Sequence, residues 1–91
     1  MIKYSVVDLS RDGYIFCLRD QLGHLHVARG QGQRLDREAE LLGREAKLGN
    51  HVLMAADTHV PMHVNFEAVG CTQLQALALL HPAPGAQAAL H

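Results

Sequence analysis

The sequence predicts an α+β fold that is mainly β, in the form of a small barrel of five strands with one helix appended at its C-terminal side. Three observations carry this prediction. Segments in which apolar and polar residues alternate recur along the chain, as in half-buried strands. Turn-forming residues separate these segments. One stretch near the C-terminus instead combines a helix-capping signature with strong helix formers.

The first strand is predicted at residues 2–8, and the next two form a hairpin within residues 14–29. Asp20 and Gly23 bracket the turn, because a glycine with positive φ completes a type I turn between twisted strands. We pair Arg19 with His24. The apolar face then holds Tyr14, Phe16, Leu18, Leu25 and Val27 and forms the core. The other face is either solvated or part of a site, and it holds Ile15, Cys17, Arg19, His24, His26 and Ala28.

Residues 34–49 change to a helical period, carried by Leu35, Ala39, Leu42 and Ala46. Asp36 is a suitable N-cap and Gly49 a suitable residue after the helix end. Gly43 is the weak point, because glycine in a helix interior costs about 1 kcal/mol relative to alanine. The sequence therefore predicts a helix over residues 36–48, with a strand bent at Gly43 as the alternative.

Strands four and five are predicted at residues 51–56 and 62–69, separated by a turn. Thr72 and Gln75 then form a capping-box pair that begins a closing helix over residues 73–81, ahead of Pro82. Residues 82–91 lack periodicity and are predicted to be a disordered tail. Residues 1–81 form a single domain in this interpretation.

The predicted order is strand, strand, strand, helix, strand, strand, with a further helix appended. This order resembles that of an OB-fold, a partly open barrel of five strands. If residues 39–46 are extended, the alternative is an SH3-like barrel. The resemblance concerns the order of elements alone, because no diagnostic motif accompanies it, and it implies no function.

Composition restricts the function classes. The formal charge is −1, so no overall positive field attracts phosphates or an anionic membrane. No long apolar run and no export signal stand out, so we expect a soluble cytoplasmic protein whose two cysteines are reduced. Arginine outnumbers lysine, with abundant alanine and leucine, which indicates a GC-rich bacterial genome.

The seven histidines raise the question of a metal site. His24 and His26 share one side of a predicted strand, and Cys17 would face His26 from the partner strand. These three residues are the metal candidates, but the sequence supplies no fourth ligand at a recognisable spacing. His59 and His63 are discounted because Pro61 between them disfavours a helix. We expect no metal and no cofactor.

Cys17 and His26 also resemble a nucleophile and its base. A cysteine enzyme needs a third group that orients the base and a site for the oxyanion. The sequence marks neither, and it contains no phosphate-binding or nucleophile-elbow motif. We therefore expect a protein that is not an enzyme.

Two kinds of binding partner remain. Single-stranded nucleic acid would fit the OB-like order, the aromatic side chains of Tyr14 and Phe16, and nearby arginines. A protein partner, including a second copy of the chain, fits the charge distribution better, because residues 48–91 contain no lysine or arginine. The sequence thus predicts a non-catalytic protein-binding module, with nucleic acid as the alternative and no membrane partner. The candidate binding residues are Cys17, Arg19, His24, His26, His63, Asn65 and Glu67.

Overall fold

The computed structural model describes residues 1–32 and 34–82. These residues form six strands and one helix: β1 (Ile2–Leu9), β2 (Ile15–Asp20), β3 (Leu25–Gly30), β4 (Glu40–Gly43), β5 (Gly49–Ala55), β6 (Pro61–Cys71) and α1 (Gln73–Leu80). The strands pair antiparallel in a closed barrel of order β1-β2-β3-β6-β5-β4. The mainly β barrel with a short C-terminal helix is confirmed, and the count of five strands is wrong.

Two predictions concern the C-terminal part of the chain. The capping box of α1 is confirmed, because the Thr72 hydroxyl accepts from the Gln75 backbone and the Gln75 side chain accepts from the Thr72 backbone. The predicted tail, residues 82–91, lies outside the described residues except for Pro82. Across the described part of the chain, no helix has the length and apolar character needed to cross a membrane.

The predicted helix over residues 36–48 is wrong, and so is the OB-like order that depended on it. Glu40–Gly43 is a strand that pairs with β1 and β5, with Tyr4 opposite Leu41. Leu41 is fully buried, which a helix with Leu42 on its apolar face did not anticipate. Of the extended alternative, only residues 40–43 form a strand, which ends at Gly43 instead of bending there. Backbone pairing with β1 and β5 outweighs the local helical period.

Gly43 is the last residue of β4 and lies close to two side chains of the neighbouring strands β1 and β5. A Cβ atom at this position would overlap Cδ2 of Leu53 and would lie 3.8 Å from Cε2 of Tyr4. Both neighbours are buried, so neither can move freely. The glycine that weakened the helix prediction is therefore required because Leu53 of the adjacent strand packs closely against the backbone at this position.

Gly43→Ala is expected to lower the free energy of unfolding by about 1–3 kcal/mol, because overpacking a dense core forces neighbouring side chains out of position. Urea denaturation measures this change. In the double variant Gly43→Ala, Leu53→Ala, the loss should be smaller than the sum of the two single losses, because the smaller side chain makes room for the new methyl group. Additive losses would contradict the predicted overlap.

The hairpin forms with a register one residue away from the predicted one. Arg19 lies opposite Leu25 and Leu18 opposite His26. The turn is closed by two hydrogen bonds of 3.0 Å, from Asp20 N–H to the His24 carbonyl and from Gly23 N–H to the Asp20 carbonyl. Gly23 has the expected positive φ of 88°. A shift of one residue reverses the faces of a strand, so His26 and Ala28 point into the barrel.

Two apolar clusters result from this register. The barrel interior is filled by Tyr4, Val6, Phe16, Leu18, Ala28, Leu41, Ala46, Leu53, Met62, Val64 and Phe66. The second cluster lies on the outer wall, where Cys17 and Val27 pack against Ala76 and Leu80 of α1. The helix thus covers the outside of β2, β3 and β6 and does not close an end of the barrel.

Candidate binding surface

His26 is a buried polar residue within the barrel. Its Nε2 lies 2.8 Å from Oδ2 of Asp20, and its Nδ1 accepts a hydrogen bond of 3.1 Å from the backbone N–H of Gly70. Because Nδ1 is an acceptor, the ring proton is on Nε2 and is donated to the carboxylate. The ring also packs edge-on against Tyr4 and Phe66. His26 therefore ties the β2–β3 turn to β6.

The Asp20 carboxylate organises the same turn. Its Oδ1 accepts from the backbone N–H groups of Leu22 and His24, at 2.9 and 3.0 Å. Burial raises the pKa of Asp20, but the hydrogen bonds from His26 and from these two backbone groups together lower the pKa below its ordinary value. The charged carboxylate is thus the form that the folded chain favours.

Asp20 is expected to make the stability depend on acid. Because its pKa is lowered in the folded state, the folded chain binds fewer protons than the unfolded chain, and the contribution is complete above about pH 4 and is lost as the pH falls further. Asp20→Asn should reduce stability near neutral pH. The carboxylate accepts hydrogen bonds on both oxygens, from Leu22, His24 and His26, whereas an amide has only one oxygen that can accept. The unfolding free energy of the variant should then fall less steeply with acid than that of the unmodified chain. Parallel slopes in urea titrations at several pH values would contradict this role.

The three metal candidates are not brought together. Cys17 points outward beneath α1, whereas His26 points into the barrel on the opposite face of the sheet. His24 lies in the turn, with its Nδ1 3.8 Å from Asp20 Oδ2. The predicted contact between Cys17 and His26 is therefore wrong. Within residues 1–32 and 34–82, no group of three His, Cys, Asp or Glu side chains is placed to hold a metal ion.

The positions of Cys17 and His26 also do not fit a nucleophile and its base. Burial, followed by the nearby Cys71 and Asp8, raises the pKa of the Cys17 thiol to about 11, so the reactive thiolate is scarce near neutral pH. Both ring nitrogens of His26 are already engaged in hydrogen bonds. Neither residue is arranged to act on the other.

The candidates on β6 lie on another part of the barrel. His63, Asn65 and Glu67 alternate on its outer face. Glu67 forms an ion pair of 3.4 Å with Arg29 of β3, and Asn65 lies opposite both Arg29 and Asn50. The outer face of β6 is polar at these three positions. It lies apart from Cys17 and Arg19, because β3 runs between β6 and β2.

The outer side of α1 has a different character. Leu74, Leu77 and Leu79 are 79%, 41% and 44% exposed, and residues 73–80 contain no charged side chain. These three leucines are called the α1 surface below. Ala76 and Leu80 occupy the buried side of the helix. The sequence predicted the helix and its apolar character, but only the packing shows which leucines face outward.

A groove lies on each flank of α1. The groove on the β6 side has a volume of about 470 Å³ and includes Val69 and Leu79. The groove on the other side crosses β1 and β2, has a volume of about 570 Å³ and is called the β1–β2 trough. Its lining includes the apolar side chains of Val7, Cys17, Leu25 and Leu77 and the charged side chains of Asp8, Arg19 and Arg37.

Sequence reasoning placed Cys17 and Arg19 among the candidate binding residues but not Val7, Arg37 or Leu77, although Arg37 was among the arginines that supported the nucleic-acid alternative. Val7 was assigned to the alternation of β1, whereas the pairing of β1 with β2 shifts between Val6 and Asp8. Two successive valines before Asp8 break the alternation at this point, and that irregularity was the available signal for a bulge. Nothing in the sequence brought Arg37 next to β1.

Comparison with known proteins adds no assignment to this surface. The chain matches no protein-family model, no curated protein and no solved structure. We therefore infer the function from the contacts, exposure and charges of the described residues.

Proposed function

We propose that the chain is a non-catalytic binding module that acts through contact with another protein, and that the α1 surface is the centre of this contact. The observation that carries the proposal is the exposure of Leu74, Leu77 and Leu79 on a helix without charge. Packing of α1 on the barrel does not require leucine at these three positions, because its buried side is formed by Ala76 and Leu80. Exposed apolar side chains beside grooves are typical of surfaces that a partner covers.

The charge distribution supports a protein partner. All lysines and arginines lie at or before Lys47, and residues 48–91 carry only Asp57 and Glu67 as acids. The α1 surface and the adjoining part of β6 therefore contain few charges that would have to lose water on binding. Depletion of charge is the feature that distinguishes the buried centre of protein interfaces from the remaining surface.

Nucleic-acid binding receives less support from the aromatic residues. Phe16 is fully buried in the barrel, and the guanidinium of Arg34 lies over the ring of Tyr14, 5.1 Å from its centroid. Base stacking needs exposed aromatic faces along a basic groove. The two rings on which the nucleic-acid alternative rested do not provide such a platform together.

We propose no catalytic step and no cofactor for this module. The Cys17 thiol is buried with a raised pKa, and the hydrogen bonds of His26 leave neither ring nitrogen free to accept a proton. A cytoplasmic location remains a prediction from the sequence.

Light scattering from micromolar to several hundred micromolar chain tests one form of the proposal. A mass that rises toward a dimer would identify a second copy as the partner. If the mass stays monomeric, cross-linking of the chain in a bacterial lysate, followed by mass spectrometry, should yield a protein attached near α1. A chain that is monomeric and acquires no cross-link near α1 would contradict the proposal. Binding of a fluorescent single-stranded oligonucleotide that weakens as salt rises would favour the alternative.

A further inference from the structure

The β1–β2 trough contains a bulge at its centre. Val6 pairs with Leu18 and Asp8 pairs with Cys17, so Val7 is an extra residue between two paired positions. Its side chain is 36% exposed and lines the trough. Bulges change the direction of a side chain and interrupt regular pairing, and they are frequent at binding sites. The bulge places an apolar side chain in the lining of the trough.

The remaining floor of the trough is also apolar. Cys17 and Leu25 line it from β2 and β3, and Ala76 and Leu77 line it from α1. Leu77 is partly exposed and belongs both to the lining of the trough and to the α1 surface. An apolar side chain of a ligand would thus find partners on three sides.

Arg19 supplies an uncompensated positive charge at this floor. It is exposed, lies opposite Ser5 of β1 and lines the trough. No carboxylate among residues 1–32 and 34–82 lies within ion-pair distance of it. A guanidinium group presents paired N–H donors that match a carboxylate. Arg19 is therefore available to an anionic group of a ligand.

Arg37 supplies the second positive charge. An ion pair with Asp8 and a backbone hydrogen bond of the next residue hold it against β1. Its Nη2 lies 3.0 Å from Oδ1 of Asp8, whose Oδ2 lies 3.2 Å from Nε2 of His81. The next residue, Glu38, donates its backbone N–H to the carbonyl of Val6 at 3.0 Å, which fixes the loop against β1. Because Arg37 already offsets Asp8, the charge of Arg19 sets the sign of the trough.

The trough continues past Val7. A further groove of about 420 Å³ shares Val7, Arg19 and Arg37 with it and reaches Ser5, Glu38 and Glu40. Both arginines lie along this channel together with two acids. Glu40 pairs with Lys3 at 3.1 Å, whereas no cation of the described residues lies within ion-pair distance of Glu38. A carboxylate of a ligand is therefore expected beside Arg19 and away from Glu38. Such a channel suits an extended segment better than a compact small molecule.

We propose that the β1–β2 trough binds a peptide segment of the partner protein in which a carboxylate lies next to an apolar side chain. Within the proposed function, on which this inference rests, the apolar side chain contacts Val7 and Leu77 and a carboxylate pairs with Arg19. A phosphate chain would also meet the arginines, but the floor offers it apolar side chains and no aromatic ring among the lining residues. The apolar floor favours a peptide over a nucleic acid.

A random peptide library displayed on phage and selected against the full chain tests this inference. Selected peptides should be enriched in Asp or Glu next to Leu, Ile or Phe. Synthetic versions are then titrated by fluorescence polarisation against the unmodified chain, Arg19→Glu and the matched charge reversal Arg11→Glu. Arg11 is exposed and is not among the residues that line the trough. Thermal melts verify that both variants fold.

Arg19→Glu should weaken binding by about tenfold or more, the equivalent of one lost charge-assisted hydrogen bond, and Arg11→Glu by less than about twofold. Peptides in which lysine replaces the acids should bind Arg19→Glu better than the unmodified chain. Peptides that lack acids, or that bind Arg19→Glu unchanged, would overturn the inference and leave the proposed function standing. A failure to select any peptide would also overturn it, whereas light scattering and cross-linking judge the proposed function separately. Displacement of the peptides by single-stranded oligonucleotide would assign the trough to nucleic acid instead.

Discussion

Replacing Phe66 with alanine is expected to lower the free energy of unfolding by about 3–5 kcal/mol, the cost of removing a large aromatic side chain from a packed core. Phe66 is buried in the barrel, with its ring centroid 6.1 Å from that of Tyr4 and 5.0 Å from that of His51. Its loss would leave a cavity against rings from β1 and β5. Since a small domain is stable by only about 5–15 kcal/mol, the urea midpoint should fall sharply.

Val69→Ala on the same strand is the matched control. Val69 is 39% exposed, so its truncation should cost less than about 1 kcal/mol. Comparable losses for the two variants would mean that Phe66 does not lie at the centre of the core.

His26→Ala is expected to lower the free energy of unfolding by about 2–4 kcal/mol, because it combines a core cavity with a lost hydrogen-bond partner for a buried group. The side chain is 4% exposed. Its removal leaves the Gly70 N–H without an acceptor and takes from Asp20 the N–H donor at 2.8 Å. Chemical denaturation near neutral pH measures the loss.

His24→Ala provides the control two residues away, at an exposed position in the turn. Its cost should be within about 0.5 kcal/mol. Equal and small losses for the two variants would restore the outward face that the sequence predicted for both histidines. A large loss confined to His26→Ala would establish the register in which Leu18 lies opposite His26.

The difference between predicted and observed register has a physical cause. Local signals sufficed for the existence of the hairpin and for the positive φ of Gly23. They did not determine which face of the hairpin points into the barrel. The sequence prediction assumed a single core and placed Leu25 and Val27 in it. In the folded chain α1 supplies a second apolar environment on the outer wall, so both sides of β3 are largely buried. The choice of side then depends on the partners of His26, which are Asp20 in the same hairpin and the Gly70 N–H of β6, far along the chain.

The same dependence on distant contacts explains β4. Residues 34–49 fit a helical period locally, whereas pairing of β4 with residues 2–5 of β1 and with β5 closes the barrel. Gly43 was the one local signal against the helix, because glycine is unfavourable in a helix interior. The capping box of α1 was predictable because its two hydrogen bonds join residues three apart in the chain.

The candidate site was predictable only in part. Cys17 and Arg19 were named from the exposed face of the hairpin, and both line the β1–β2 trough. His26 was named on the same grounds and lies inside the barrel, because the register differs. Arg37 joins the site through the hydrogen bond between Glu38 N–H and Val6, a contact across about thirty residues that no local pattern announces.

The central claim is that a partner protein contacts the α1 surface. Leu74→Ser and Leu48→Ser test it as a matched pair, because these leucines are 79% and 70% exposed, and Leu48 lies in the connection between β4 and β5. Neither substitution should change the thermal midpoint by much, since surface positions seldom contribute more than about 0.5 kcal/mol.

The decisive measurement is the dissociation constant of the dimer or of the cross-linked partner, determined for the unmodified chain and for both variants. We expect Leu74→Ser to weaken binding by about tenfold, the loss of roughly 1.4 kcal/mol that burying a leucine at an interface supplies, while Leu48→Ser leaves the constant unchanged. Equal dissociation constants for Leu74→Ser and the unmodified chain would contradict the claim.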